Sequence, residues 1–217
     1  MLSVFCVFIK ARNCYIYDVN LSRYMRLYIF LAIIFFNVGL ASSQIGTQAY
    51  QSINTGAQQT ELYLPKLKNK NIAIVTNASG IIGNRHLVDT LLKHKVKIVK
   101  IFGPEHGFRG TADAGEKVKG GKDPLTNITV VSLYGSHKKP TKEDLKGIDI
   151  VIYDIQDVGV RFYTYISTMT YVMEACAENG KELIVFDRPN PNGFYIDGPV
   201  MTDKYKSFLG LHNIPIV

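Results

Sequence analysis

The sequence predicts an α/β fold, a mostly parallel sheet covered by helices on both faces. Three observations predict it. Short β-rich runs that are apolar almost throughout recur along the chain, as strands buried on both faces require. Segments with helical spacing separate them. Stretches rich in ionisable and amide side chains directly follow the runs, and in such sheets ligands bind beyond the carboxyl ends of the strands.

The first 41 residues stand outside this pattern. Arg26 precedes an apolar run over 27–40, which ends in the small residues Gly39 and Ala41. That is the form of a secretory signal peptide cleaved after Ala41. The run of about 14 residues falls short of the roughly 20 that a membrane-spanning helix needs. Met25 is the expected start, with 1–24 a spurious extension. Of the formal charge of +7, Lys10, Arg12, Arg23 and Arg26 against Asp18 contribute +3, leaving +4 for the rest. The remaining lysines are scattered and no basic block is interleaved with aromatics, so a nucleic-acid partner is not expected. Cys6 and Cys14 lie in the part expected to be lost, leaving Cys176 with no intrachain partner, so stability must come from a packed core.

Residues 42–60 are small and polar without a period and read as a linker or arm. Then the elements alternate. "NIAIVTN" (71–77) is the first strand, and "HLVDTLLKH" (86–94), apolar at 87, 88, 91 and 92, is a helix. "VKIVKIF" (96–102) and "ITVVSLYG" (128–135) are the second and third strands. "TKEDL" has the shape of a capping box from Thr141 to Asp144. "DIVIYDI" (149–155) is the fourth strand. The longest helix is "YTYISTMTYVMEACAENG", with Ile166, Met169, Val172, Met173 and Cys176 as its apolar stripe and Gly180 as its stop. "ELIVFD" (182–187) is the fifth strand.

The polar stretches after the strands carry the candidate chemistry. "NASGIIGN" follows a strand and precedes a helix, but it lacks the G-x-G-x-x-G spacing, and no P-loop lysine is present. Asn77 is an amide for a ligand hydroxyl or a turn former. In "FGPEHGFRG", Pro104 fixes the chain and the glycines permit close backbone approach. Glu105 beside a phenyl ring such as Phe108 meets the condition for a general acid, and equally reads as a carboxylate capping its own loop. His106 has no partners at metal-ligand spacing, so neither metal nor cofactor is expected. "DIQDVGVRFYTY" brings Asp154, Gln156 and Asp157 to a strand end, with Arg161 and Tyr163 beyond; an Asp157–Arg161 pair capping the next helix is the bland alternative. "FDRPNPNG" holds Asp187, Arg188 and Asn190 between prolines.

Four motifs, "TNASG", "GPEHGFRG", "YDIQDVGVRFYTYI" and "FDRPNPNG" followed by "DGP", in this order and spacing, resemble the exo-β-N-acetylmuramidase family of the NamZ type, long catalogued as a domain of unknown function. The resemblance runs over residues 55–217. It implies a Rossmann-like catalytic domain over 61–200, with 201–217 beginning the connection to a smaller second domain that this sequence does not reach. It also implies an exported glycosidase that removes N-acetylmuramic acid from the non-reducing end of peptidoglycan fragments. Glu105 is then the catalytic acid, and Asp154 or Asp157 the second catalytic group. Asn77, His106, Gln156, Tyr163, Asp187 and Asn190 are expected substrate contacts, with Arg109, Arg161 and Arg188 available for the lactyl carboxylate of muramic acid. An exported sugar- or nucleotide-binding module and a metal-dependent hydrolase are the competing readings. The signal-type segment itself yields a test: mass spectrometry of exported material should find a mature N-terminus near Ser42, and retention of 25–41 would overturn cleavage.

Overall fold

The structure is a computed structural model that describes residues 5–10, 13–18, 53–110 and 120–215. The predicted export segment and most of the polar arm lie outside the described residues. In the N-terminal unit, β1 (Phe5–Lys10) and β2 (Asn13–Asp18) pair antiparallel, Phe5 opposite Asp18 and Lys10 opposite Asn13.

The second unit, Ile53–Val217, carries the fold. In chain order it contains α1 (Thr60–Leu67), β3 (Asn71–Thr76), the small ladder of β4 (Ile81–Ile82) and β5 (Arg85–His86), and α2 (Leu87–Lys93). Next come β6 (Lys97–Gly103), β7 (Gly121–Lys122), β8 (Thr129–Ser132), β9 (Ile150–Asp154), α3 (Tyr165–Glu178) and β10 (Glu182–Val185). The sheet order is β10-β9-β3-β6-β8-β7, parallel except for β7 on the edge. Each of the five predicted strands is present, and the parallel α/β sheet is the one the sequence predicts.

Alternation along the strands divides the core in two. Ile72 and Ile74 of β3 and Ile150 and Ile152 of β9 face α1 and α2, packing on Leu67, Leu87, Val88 and Leu91. Ala73, Val75, Val151 and Tyr153 face α3, on Val172, Ala175 and Cys176. Strand β6 breaks strict alternation, since Ile98 and Ile101 both face the first core. The register explains it: Ile72 stands opposite Ile98 but Ala73 opposite Lys100, so Val99 is the extra residue of a bulge that resets the parity. Phe102 is thereby sent to the α3 side, fully buried.

Two expectations need correction. The buried face of α3 is Ser167, Thr168, Val172, Ala175 and Cys176, while Met173 is half exposed. Small side chains let this helix approach the sheet closely, which turns the larger Met173 outward. The polar arm also does not run loose as far as residue 60. Gly56 donates to the Asp187 carbonyl at 2.8 Å, and α1 begins at Thr60 with Tyr63 and Leu67 buried. The Tyr63 ring packs on Phe186 with centroids 4.3 Å apart, and its hydroxyl donates to the Ala57 carbonyl at 2.7 Å. Burial pushes that hydroxyl's pKa up to about 12. A Cβ on Gly56 would stand 2.7 Å from the Asp187 nitrogen, so only glycine allows this approach to the β10 edge.

The predicted capping box is formed: the Asp144 carboxylate accepts from the Thr141 nitrogen and hydroxyl, and the Asp144 nitrogen returns a bond to that hydroxyl. Because Tyr63 joins the arm to the sheet edge, Tyr63→Ala should cost about 3 kcal/mol and lower Tm by roughly 6–12 °C. Tyr63→Phe, losing only the hydroxyl bond, should cost about 1 kcal/mol. Thermal unfolding of the two variants checks both, and unchanged melting of Tyr63→Ala would show that the arm adds nothing.

Candidate functional site

Strand order runs outward in both directions from β3, so the topological switch lies between the carboxyl ends of β3 and β9. The sequence fills that crevice with its own side chains. Asp154, the last residue of β9, is fully buried, and Arg188 grips it with two bonds, Nε to Oδ1 at 2.6 Å and Nη2 to Oδ2 at 3.0 Å. Burial raises the Asp154 carboxyl above the usual carboxylate range, with Arg188 opposing. Arg188 Nη2 also donates to the Ile81 carbonyl at 3.2 Å, so one guanidinium ties β9, the β10 loop and the β4 turn together. Gly80 fits here because a Cβ would collide with Thr76 Oγ1.

The Asn77 side chain builds the turn after β3. Its Oδ1 accepts from the nitrogen and hydroxyl of Ser79, at 2.9 and 2.6 Å, and its carbonyl accepts from His86 Nε2 at 2.9 Å. His86 Nδ1 in turn accepts from the Val88 nitrogen, so the ring is the neutral Nε2–H tautomer, and burial lowers its pKa to match. Ser79 Oγ accepts from the Gln156 nitrogen at 2.9 Å, which closes the β3 and β9 loops on each other. The Gln156 amide donates to the carbonyls of Asp157 and Pro189. Asn190 Oδ1 accepts from the Asn192 nitrogen, and its amide packs so tightly on Gly159 that a Cβ there would overlap it.

Glu105 lies one strand away. Gly107 donates to the Pro104 carbonyl at 2.9 Å, closing a turn with Glu105 and His106 at its centre, and His106 takes φ of 68°. Left-handed backbone in a residue other than glycine costs about 1–3 kcal/mol, a strain that gathers at functional sites. Thr164, which precedes α3, donates from Oγ1 to Glu105 Oε2 at 3.4 Å. Tyr134 lies beside it, and the Glu105 carboxylate raises the pKa of that phenol. Phe108 is not a wall beside Glu105 as expected. It is buried in the first core, edge-on to His86 with centroids 4.8 Å apart, because Gly107 turns the chain inward.

Two cavities meet at Glu105. One, about 430 Å³, is lined by Tyr134, Lys138, Thr164, Phe208 and Leu209 with Glu105; the other, about 450 Å³, by His106, Phe162, Tyr163, Thr164 and Tyr165 with Glu105. Among the described residues Glu105 is the single carboxyl group lining either. Asp157 lies in a third, smaller cavity of about 150 Å³ with Asp187 and Arg188, across Tyr165. Its Oδ1 accepts from the Gly159 nitrogen at 2.7 Å, and the Asp157–Arg161 pair does not form among the described residues. A larger cavity, about 710 Å³, lies between α1 and the start of β6, away from every strand's carboxyl end.

Each of the three expected arginines has partners within the protein. Arg109 is bound at Nε and Nη2 by Asp123, at 2.8 and 2.9 Å, and by Asp89 at 3.2 Å. Arg188 is committed to Asp154. Arg161 Nη1 donates to the carbonyls of Pro199 and Ile214. Tyr134 and Lys138 were not singled out by the sequence, because each is one polar residue with no motif around it, and Thr164 was passed over inside the "RFYTY" stretch.

The fold and these loops define an α/β protein whose cavities at Glu105 open at the carboxyl edge of a parallel sheet, beside the switch point. The chain belongs to the family described as exo-beta-N-acetylmuramidase NamZ, N-terminal, which it matches over residues 72–217. It is 50% identical over 157 residues to the peptidoglycan beta-N-acetylmuramidase NamZ of Bacillus subtilis (strain 168), covering 71% of this chain and 38% of that protein. Crystal structures of two DUF1343 family proteins from Bacteroides fragilis NCTC 9343 share the fold, each with a TM-score of 0.66, at 48% and 44% identity. Each comparison covers 75% of this chain and 42% of the other, so the chain spans about two-fifths of the length of these relatives.

The Arg109 network yields a test. Arg109 holds the Asp123 carboxyl down at about 2, with Thr126 adding two bonds. A depressed folded pKa means stability that is complete above the ordinary value near 3.8 and lost as pH falls towards 2. Asp123→Asn should cost about 3 kcal/mol at neutral pH and show a weaker acid dependence between pH 4 and 2. Denaturant midpoints across that window check it; parallel acid curves for the two proteins would dismiss the coupling.

Proposed function

We propose that this chain carries the acid-bearing wall of an exo-acting glycoside hydrolase that releases N-acetylmuramic acid from the non-reducing end of peptidoglycan fragments, with Glu105 as the general acid. The observation that carries the reading is the position of Glu105 on the wall shared by two cavities. A glycosidic oxygen bridging two sugars, one in each cavity, meets that carboxyl group, and protonation of the departing oxygen is what an acid at this point supplies. The name of the Bacillus subtilis relative supports the substrate class.

The exposed rings of Phe162 and Tyr163, with centroids 5.9 Å apart, give the second cavity an apolar surface suited to the flat face of a pyranose. Of the two candidates for the second catalytic group, Asp154 is taken up by Arg188, and Asp157 lines the neighbouring cavity across Tyr165. Export belongs to the same proposal, supported by the signal-type sequence over 25–41.

Glu105→Gln keeps the shape and one acceptor but has no proton to give. In the intact protein, hydrolysis of a natural muramic acid disaccharide should fall by roughly 100-fold to 10,000-fold with binding retained. A nitrophenyl glycoside, whose leaving group needs little protonation, should suffer less. Equal turnover of the disaccharide by the variant and the unsubstituted protein would remove Glu105 from the mechanism. Binding without turnover in both would favour the sugar-binding module instead.

A further inference from the structure

Muramic acid differs from glucosamine by a lactyl ether ending in a carboxylate, so a protein that prefers it needs a cation beside the ring. Arg109 and Arg188 are already neutralised by aspartates, and Arg161 is bound to backbone carbonyls. We propose that Lys138 is that cation, the specificity residue that binds the lactyl carboxylate of the sugar whose glycosidic oxygen faces Glu105. The proposal rests on the reading of the two cavities as saccharide subsites.

Lys138 lines the cavity of about 430 Å³ that also holds Glu105, Tyr134 and Thr164. Its Nζ stands 4.7 Å from the centroid of the Phe208 ring, which lines the same cavity. A ring face holds an ammonium by its quadrupole and leaves the charge unneutralised, ready for an anion. Among the described residues no carboxylate lies within 4.0 Å of that ammonium. The adjacent Lys139 shows the contrast. It is paired with Glu174 at 3.2 Å and Glu178 at 2.7 Å, fastening the loop to α3 and leaving its neighbour for the cavity.

The division between the two cavities gives the assignment its direction. Phe162 and Tyr163 offer the second cavity apolar faces, and no lysine or arginine lines it. The anionic sugar therefore belongs in the cavity with Lys138, and the neutral leaving saccharide on the aromatic side. A lactyl ether turns about several bonds, and a compact ammonium on a flexible stem follows it where a planar fork demands one orientation.

The test uses the intact protein, Lys138→Met and Lys138→Arg. Free N-acetylmuramic acid and its methyl ester are titrated against each, and kcat/KM is measured on the nitrophenyl glycosides of N-acetylmuramic acid and N-acetylglucosamine. Lys138→Met should bind the free acid about 10-fold to 100-fold more weakly, the value of one charge-assisted bond. It should bind the uncharged ester as the unsubstituted protein does, and should lose a similar factor on the muramic glycoside alone. Lys138→Arg should recover part of the loss. Undiminished binding of the free acid by Lys138→Met would overturn the assignment, as would an equal loss on acid and ester, which would mean that the side chain only shapes the cavity. If the unsubstituted protein hydrolyses neither glycoside, the glycosidase reading falls, and the titration of the free acid still decides the role of Lys138.

Discussion

The carboxyl edge of the sheet is organised around the buried pair of Asp154 and Arg188. Their side chains are 0% and 8% exposed, and desolvating both charges is repaid only by a bidentate geometry with the remaining donors placed. That requirement fixes more than two residues. Arg188 can reach Asp154 only if the β10 loop folds back over β9, and its third bond, to the Ile81 carbonyl, needs the β3 loop to arrive at the same place. Gly80 must lack a side chain there, since a Cβ would collide with Thr76 Oγ1 and crowd Asp154 Oδ2. The crevice at the switch point, where open α/β sheets usually take their ligands, is thus filled, and the cavities at Glu105 lie one strand over, at the loop after β6.

That displacement explains the division of labour among the loops. The β3, β9 and β10 loops bond mainly to one another, through Ser79 to Gln156, Gln156 to Pro189, and Asn192 to the Val158 carbonyl. They form a rigid floor. The β6 and β8 loops and the start of α3 supply Glu105, Tyr134 and Thr164 from three separate elements. Groups assembled this way are held by their scaffold, and in the proposed reaction they would need no reorganisation when a substrate enters. The bulge at Val99 is part of this placement, because it sets which face Phe102 takes just before the chain turns at Gly103.

The strands were legible because a parallel sheet buried on both faces demands apolar runs, and five such runs stand out between polar loops. Glu105 was legible because proline and glycines bracket it. Helix α1 was not, since "TELYLPKL" mixes polar residues with Pro65 and buries only Tyr63 and Leu67. The state of the arginines was hidden for another reason. Arg109 meets Asp123 and Asp89 at separations of 14 and 20 residues, and Arg188 meets Asp154 at 34. Such pairs exist only once the sheet order is known. Tyr134 and Lys138 escaped notice likewise, because nothing in "SLYGSHKKP" says which of its polar residues turns towards the loop after β6.

The neighbours of Glu105 are of the kind that the proposed role of general acid requires. A group that gives up a proton and later recovers it needs partners that tolerate both states. A hydroxyl carries one donor and two lone pairs, so Thr164 donates to the carboxylate and, by rotating, accepts from the carboxylic acid. A guanidinium only donates, and beside a carboxyl it favours the charged form. Arg109 is four residues from Glu105 in the chain, and the fold turns it the other way, over the Phe108 ring and onto two aspartates. The inward turn of Phe108 is what carries it there. The positive φ at His106 and Gly107 therefore does two things at once: it presents Glu105 to the cavities, and it takes the nearest guanidinium in the sequence into a network of its own.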